Sequence, residues 1–134
     1  MNSVRFDLDV RIENDSSDGI NEVKIFCYDL LLLSLAKNHR MKFLFHDSRL
    51  YANMDVRQRA GLFRVASEMA RKQQLQYIAT LNPDEVSGME GEFERGEFKY
   101  LIEDNVVLSL TDDSPAGKLL GIQVDLRYES RRAA

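Results

Sequence analysis

The chain has 134 residues, 44% of them hydrophobic and 30% charged, with a formal net charge of -4. That balance belongs to a globular domain, excludes a disordered chain, and argues against bulk electrostatic binding to nucleic acid. No apolar stretch has the length of a membrane span, no signal-peptide pattern follows Met1, and the single cysteine, Cys27, excludes an internal disulfide and a cysteine-based zinc site, so a reducing cytoplasm is the expected compartment.

One domain, 1–134, is expected, with a folded core over 4–128 and a polar tail over 129–134. Residues 4–13 alternate, with Val4, Phe6, Leu8, Val10 and Ile12 on one face, which predicts a half-buried strand. A turn-forming cluster over 14–20 leads into a helix from about 21 to 38, with Asp18 or Asn21 as its cap. The run Leu30–Ala36 is apolar nearly all round, which predicts an interior helix. His39 suits the negative end of its dipole.

A short buried strand is expected over 42–46, ending in His46-Asp47-Ser48, with Asp47 directed at the crevice beyond the strand's C-terminal end. Asp55 opens a helix to about 74, and Gln58 three residues on suggests a capping box. Val56, Ala60, Phe63, Ala66 or Ser67, and Ala70 form its expected buried stripe. Leu75–Leu81 is the next expected buried strand, followed by a short helix from Pro83 through Val86. Three glycines within 87–97 predict a mobile loop. A helical turn over 98–103, a strand over 106–110, a turn at 112–117 and a last strand over 119–128 complete the chain. The order predicts an α/β fold: a partly parallel sheet with flanking helices and antiparallel additions at its margins.

Four stretches carry a resemblance: Gly19–Asp29, Phe43–Ser48, Gln76–Asn82 and Leu108–Pro115. In this order they resemble the C-terminal half of the nucleotide-binding head of coiled-coil ABC ATPases, the SMC-like and RecN-like group. More narrowly, the chain resembles the domain of unknown function at the C-terminal end of a bacterial branch of those proteins. The resemblance implies that Ser16, Ser17, Asp18 and Gly19 form a signature-like loop facing a γ-phosphate. It further implies that Asp47 is a Walker B-like aspartate holding Mg²⁺ through water, that Asp55 ends a D-loop, and that Thr80 and Asn82 lie on a switch strand.

The departures are as specific. Ser48 stands where the family has its catalytic glutamate, and Leu81 where it has the switch histidine; the D-loop is one residue longer. A serine is no general base without activation, and His46, one residue before Asp47, points to the opposite face of a strand. No Gly-x-x-x-x-Gly-Lys-[Ser/Thr] occurs in the chain, and P-loop phosphoryl transfer needs that loop. The resemblance therefore implies half a head, unable to hydrolyse ATP alone. ATP and Mg²⁺ would belong to the complete head, and the partner would be the Walker A half, in the same long chain or a separate one. An isolated half-head would expose the surface meant for its other half, so association as a homodimer or with exchanged elements is expected, with DNA contact indirect or unknown. Two other readings stand beside it. One is a non-catalytic interaction module with a degenerate nucleotide site. The other is a receiver-type phosphoacceptor with Asp47 as acceptor and Thr80 as switch, against which Asp7 and Asp9 sit mid-strand and Lys118 follows a turn.

Overall fold

The computed structural model describes residues 18–122, which divide into two units, one through Asp104 and one from Asn105. The strand expected over 4–13 lies outside the described residues, as do Ser16, Ser17, most of the strand expected over 119–128, and the 129–134 tail.

In the first unit, α1 (Asp18–Leu35) leads into β1 (Phe43–His46), α2 (Val56–Gln73) and β2 (Gln76–Ala79). The short helices α3 (Pro83–Met89) and α4 (Glu97–Leu101) follow. The described fold is thus mixed α/β, with four α-helices and a two-stranded parallel sheet. The strands pair in register, Phe43 with Gln76 through His46 with Ala79. α2 is the crossover that parallel neighbours require.

The helix boundaries have local causes. Asp55 accepts from the Gln58 N–H at 2.8 Å while its own N–H donates to Gln58 Oε1 at 3.0 Å, so the expected capping box closes the start of α2. Gln74, left-handed at φ 54°, ends that helix, with Arg71 and Lys72 in the last turn. Ala36 and Asn38 also have positive φ and stop α1, where His39 Nε2 bonds the Leu32 carbonyl at 3.0 Å. Pro83 opens α3, which runs beyond Val86 to the fully buried Met89.

The core gathers Phe26 and Leu30 of α1, Tyr51 and Met54 of the connection after β1, and Leu62 and Ala66 of α2. Burying a side chain such as Phe26 contributes about 1.5–3 kcal/mol. The α2 stripe is wider than expected: Leu62 is buried with Ala60 and Ala66, while Phe63 and Met69 pack against them. Leu44, Tyr77 and Ala79 face this core.

Four expectations are corrected. The strands are buried on one face only: Phe43 and Phe45 point the other way and are about half exposed, and Ile78 beside them is exposed. Strand alternation sends odd and even residues to opposite sides, and both helices that pack on this sheet lie over one of them. α1 is likewise not interior. Phe26, Leu30 and Leu33 are buried, while Leu31, Leu32 and Leu35 are exposed. Residues 106–110 form no strand; Val107 is 96% exposed, and no ladder partner lies among the described residues. Leu119 and Leu120 form a turn closed by Gly121 at φ 64°.

Residues 87–97 have defined local structure. α3 reaches Met89, a 3-10 turn covers Glu90–Glu92, and Gly96 at φ 82° precedes α4. Arg64 of α2 grips this segment through Glu97 at 2.7 and 2.8 Å and the Glu92 carbonyl at 2.8 Å, with Phe93 beneath its guanidinium. In the second unit, Thr111 N–H donates to the Gly117 carbonyl at 2.9 Å, and Pro115–Gly117 form a 3-10 turn.

Candidate functional site

The C-terminal ends of β1 and β2 are stitched together. Thr80 N–H donates to the His46 carbonyl at 3.1 Å, and Ser48 N–H donates to Thr80 Oγ1 at 3.2 Å. Asp47, between these contacts, is exposed, and its Oδ1 accepts from the Arg49 N–H at 3.0 Å. It thereby caps a 3-10 turn over Ser48–Leu50. Thr80 is exposed beside it, Leu81 packs against the core, and Asn82 N–H donates to Glu85 at 3.0 Å at the start of α3.

The connection from Asp47 to Asp55 leads to the first turn of α1. Gly19 is buried there: a Cβ on it would meet the Asn53 carbonyl oxygen at 2.7 Å and Gln58 Oε1 at 3.0 Å. Asn53 Nδ2 donates to Glu22 at 2.8 Å. Gly19 therefore meets the loop that ends in Asp55, and Asp47, Ser48 and Thr80 form a neighbouring group at the strand ends. Asp55 and Asn82 are also occupied as helix caps.

Beneath Asp47 lies a polar chain that sequence reasoning missed. His46 is buried and turned away from the exposed Asp47. Its Nε2 meets Asp29 at 3.2 Å and its Nδ1 meets the Tyr77 hydroxyl at 2.9 Å. Tyr77 in turn bonds the Tyr51 hydroxyl. Burial pushes the Tyr51 phenol up to about 12, with Glu85 and Asp47 adding negative charge nearby. Burial also raises Tyr77, reinforced by Tyr51. A neutral His46 that donates to Asp29 and accepts from Tyr77 satisfies both ring nitrogens. The chain links α1, β1, the 47–55 connection and β2 at one point. Its members are 17, 31 and 26 residues apart, and only the polar His46 inside an apolar run was a local signal.

For a metal, the donor set is thin. No group of three or more His, Cys, Asp or Glu side chains converges on a common point among the described residues. Asp47 is a single carboxylate already engaged with a backbone N–H. Any Mg²⁺ held here would need further ligands from a nucleotide, from water or from a second polypeptide segment.

Among known families, residues 1–124 match DUF2326, described as an uncharacterised protein conserved in bacteria. The chain belongs to the DUF2326 family. No curated protein and no solved structure matches it. For this DUF2326 chain, no helix among the described residues is long and apolar enough to cross a membrane.

Proposed function

We propose that the chain is the C-terminal lobe of an ABC-type ATPase head of the SMC-like and RecN-like group, completed by a lobe that carries the phosphate loop. The observation that carries the reading is the 3.2 Å bond from Ser48 N–H to Thr80 Oγ1, which holds the Asp47 end of β1 beside the Thr80–Asn82 end of β2. The packing of Gly19 against the 53–55 loop supports it, since signature-like and D-loop-like segments then share one side of the lobe. So does the outward face of the sheet at Phe43, Phe45 and Ile78, which no helix covers among the described residues, because parallel sheets are normally covered on both faces.

In the complete head, bound Mg-ATP would supply the phosphoanhydride bond that is broken. Asp47 would hold a water of the metal, and Thr80 and Asn82 would face the γ-phosphate end. Ser16, Ser17 and Gly19 would present backbone N–H groups to the phosphate of an opposite head. Ser48 offers no general base, so this lobe alone does not hydrolyse ATP. The setting would be DNA repair, chromosome maintenance or defence, in the cytoplasm, with homodimeric heads and indirect contact with DNA.

A second reading is a non-catalytic interaction module. Asp47, Asp55 and Asn82 serving as caps, and Leu81 sitting against the core, favour it. Purifying the native protein from its own cells with an antibody against this domain separates the two. A larger polypeptide, or a stable partner, bearing Gly-x-x-x-x-Gly-Lys-[Ser/Thr] supports the ATPase lobe. A chain isolated without any such sequence overturns it and leaves the interaction module.

A further inference from the structure

The polar chain beneath Asp47 has a direction. A carboxylate only accepts, so His46 Nε2–H donates to Asp29 at 3.2 Å. That leaves Nδ1 as the acceptor for the Tyr77 O–H at 2.9 Å. The Tyr77 oxygen, its proton turned to His46, accepts from the Tyr51 O–H. Every donor therefore points from Tyr51 towards Asp29, and bonds aligned head to tail strengthen one another. Asp29, on α1, ends the chain, fixes its direction and assigns the Nε2–H tautomer to His46.

Packing alone does not call for these groups. The buried His46 ring lies 5.6 Å from the Phe26 ring and 5.6 Å from the Tyr77 ring, surroundings that suit an apolar side chain. Replacing both partners of a buried bond by apolar groups of the same shape is nearly neutral for stability. What the polar chain adds is orientation. His46 is held at both ring nitrogens, and Asp47 follows it directly. The His46 carbonyl receives the Thr80 N–H at 3.1 Å, and Thr80 Oγ1 receives the Ser48 N–H at 3.2 Å. Rotation of this strand end would break bonds to both α1 and β2.

We propose that Asp29, His46 and Tyr77 are positioning residues of the Asp47 site, coupling the placement of α1 to the orientation of Asp47 and Thr80. None of the three has to touch nucleotide or metal. The functional consequence rests on the nucleotide reading above. α1 also carries Gly19 in its first turn, so a partner that displaces α1 there would act on Asp47 through Asp29. Groups behind a metal ligand act in this way, by fixing the orientation of what they hold.

Two measurements test this. The first is NMR of the full chain without nucleotide, at mildly alkaline pH. The ¹⁵N shifts of the wild-type His46 ring are expected to report the Nε2–H tautomer. Asp29→Leu removes the acceptor and is expected to shift the ring from that tautomer. It should also speed amide exchange at Ser48 and Thr80 relative to the amides of α2. Asp29→Asn, whose amide oxygen still accepts, should restore both. A wild-type ring in the Nδ1–H tautomer, or Asp29→Leu with wild-type tautomer and exchange, overturns the proposal. If Asp29→Leu does not fold, Tyr77→Phe decides: unchanged exchange at Ser48 and Thr80 overturns it. The second is ATP binding to the native protein purified from its own cells. Asp29→Leu is expected to weaken the Mg²⁺-dependent binding at least about tenfold, the loss usual when a group behind a metal ligand is removed, with Mg²⁺-independent binding unchanged. A merely structural role would lower stability and leave the affinity of the folded protein unmoved. A wild type that binds Mg-ATP while Asp29→Leu binds it as tightly overturns the positioning role alone. A wild type that binds no ATP overturns the nucleotide reading and the positioning role with it.

Discussion

Gly19 in the first turn of α1 lies so close to Asn53 that a Cβ would stand 2.7 Å from the Asn53 carbonyl oxygen. The atom in the way is backbone, so it cannot swing aside as a long side chain would. Gly19→Ala is expected to cost about 1–3 kcal/mol, the range for overpacking a close contact. Urea denaturation checks it. Unchanged stability would mean that the helix and the 53–55 loop are not packed this tightly.

The Tyr77 hydroxyl serves both His46 and Tyr51. Tyr77→Phe keeps the ring against Phe26 and Phe63 but leaves two buried polar groups short of a partner. The expected loss is about 1–3 kcal/mol. Tyr51→Phe combined with Tyr77→Phe should cost less than the sum of the single changes, because the two hydroxyls share one bond. Strict additivity in denaturant melts would contradict that bond.

Asp55 and Gln58 form a reciprocal cap. Asp55→Ala is expected to destabilise by about 0.5–2 kcal/mol, and Asp55→Asn by less, since an amide oxygen still accepts from the Gln58 N–H. Thermal melts of the two variants measure this. Equal losses would mean that the carboxylate charge, and not the cap, carries the effect.

How much of this was legible in the sequence follows from the range of each interaction. The Asp55–Gln58 box lies within four consecutive residues and was readable. So were Pro83 at the start of α3 and both parallel strands, as short apolar runs ended by polar residues. The two faces of α1 were not. Leu30–Ala36 has apolar side chains all round, and only the fold tells which of them meet the core and which stay bare. Residues 106–110 read as a strand because Val and Leu favour extended backbone, yet a strand also needs a ladder partner, which no local pattern specifies. At the site, Asp47, Ser48 and Thr80 were identified singly, and their adjacency follows from the register His46 with Ala79. Asp29, Tyr51 and Tyr77 lacked any local mark.

Glu97 supplies a pH prediction. Its hydrogen bonds from the Arg64 guanidinium, then one from the Glu94 N–H, hold its carboxyl down to about 2. A folded-state value below the unfolded one contributes stability that is present above the unfolded value of about 4.3 and is lost as pH falls through the folded one. NMR titration of the Glu97 side chain should therefore place its midpoint near 2, and Arg64→Ala should return it towards the ordinary carboxylate range. A wild-type midpoint in that ordinary range would show that Arg64 does not clasp Glu97 in solution.

Equilibrium binding of ATP to the native protein purified from its own cells tests directly the proposal that Asp47 belongs to a composite nucleotide site. Titrations with and without Mg²⁺ would compare the wild type with Asp47→Ala. Mg²⁺ is expected to tighten ATP binding in the wild type, and Asp47→Ala to weaken the Mg²⁺-dependent binding at least about tenfold, about 1.4 kcal/mol, with binding in the absence of Mg²⁺ unchanged. A native protein that does not bind ATP, or an Asp47→Ala variant that binds Mg-ATP as tightly as wild type, would contradict it.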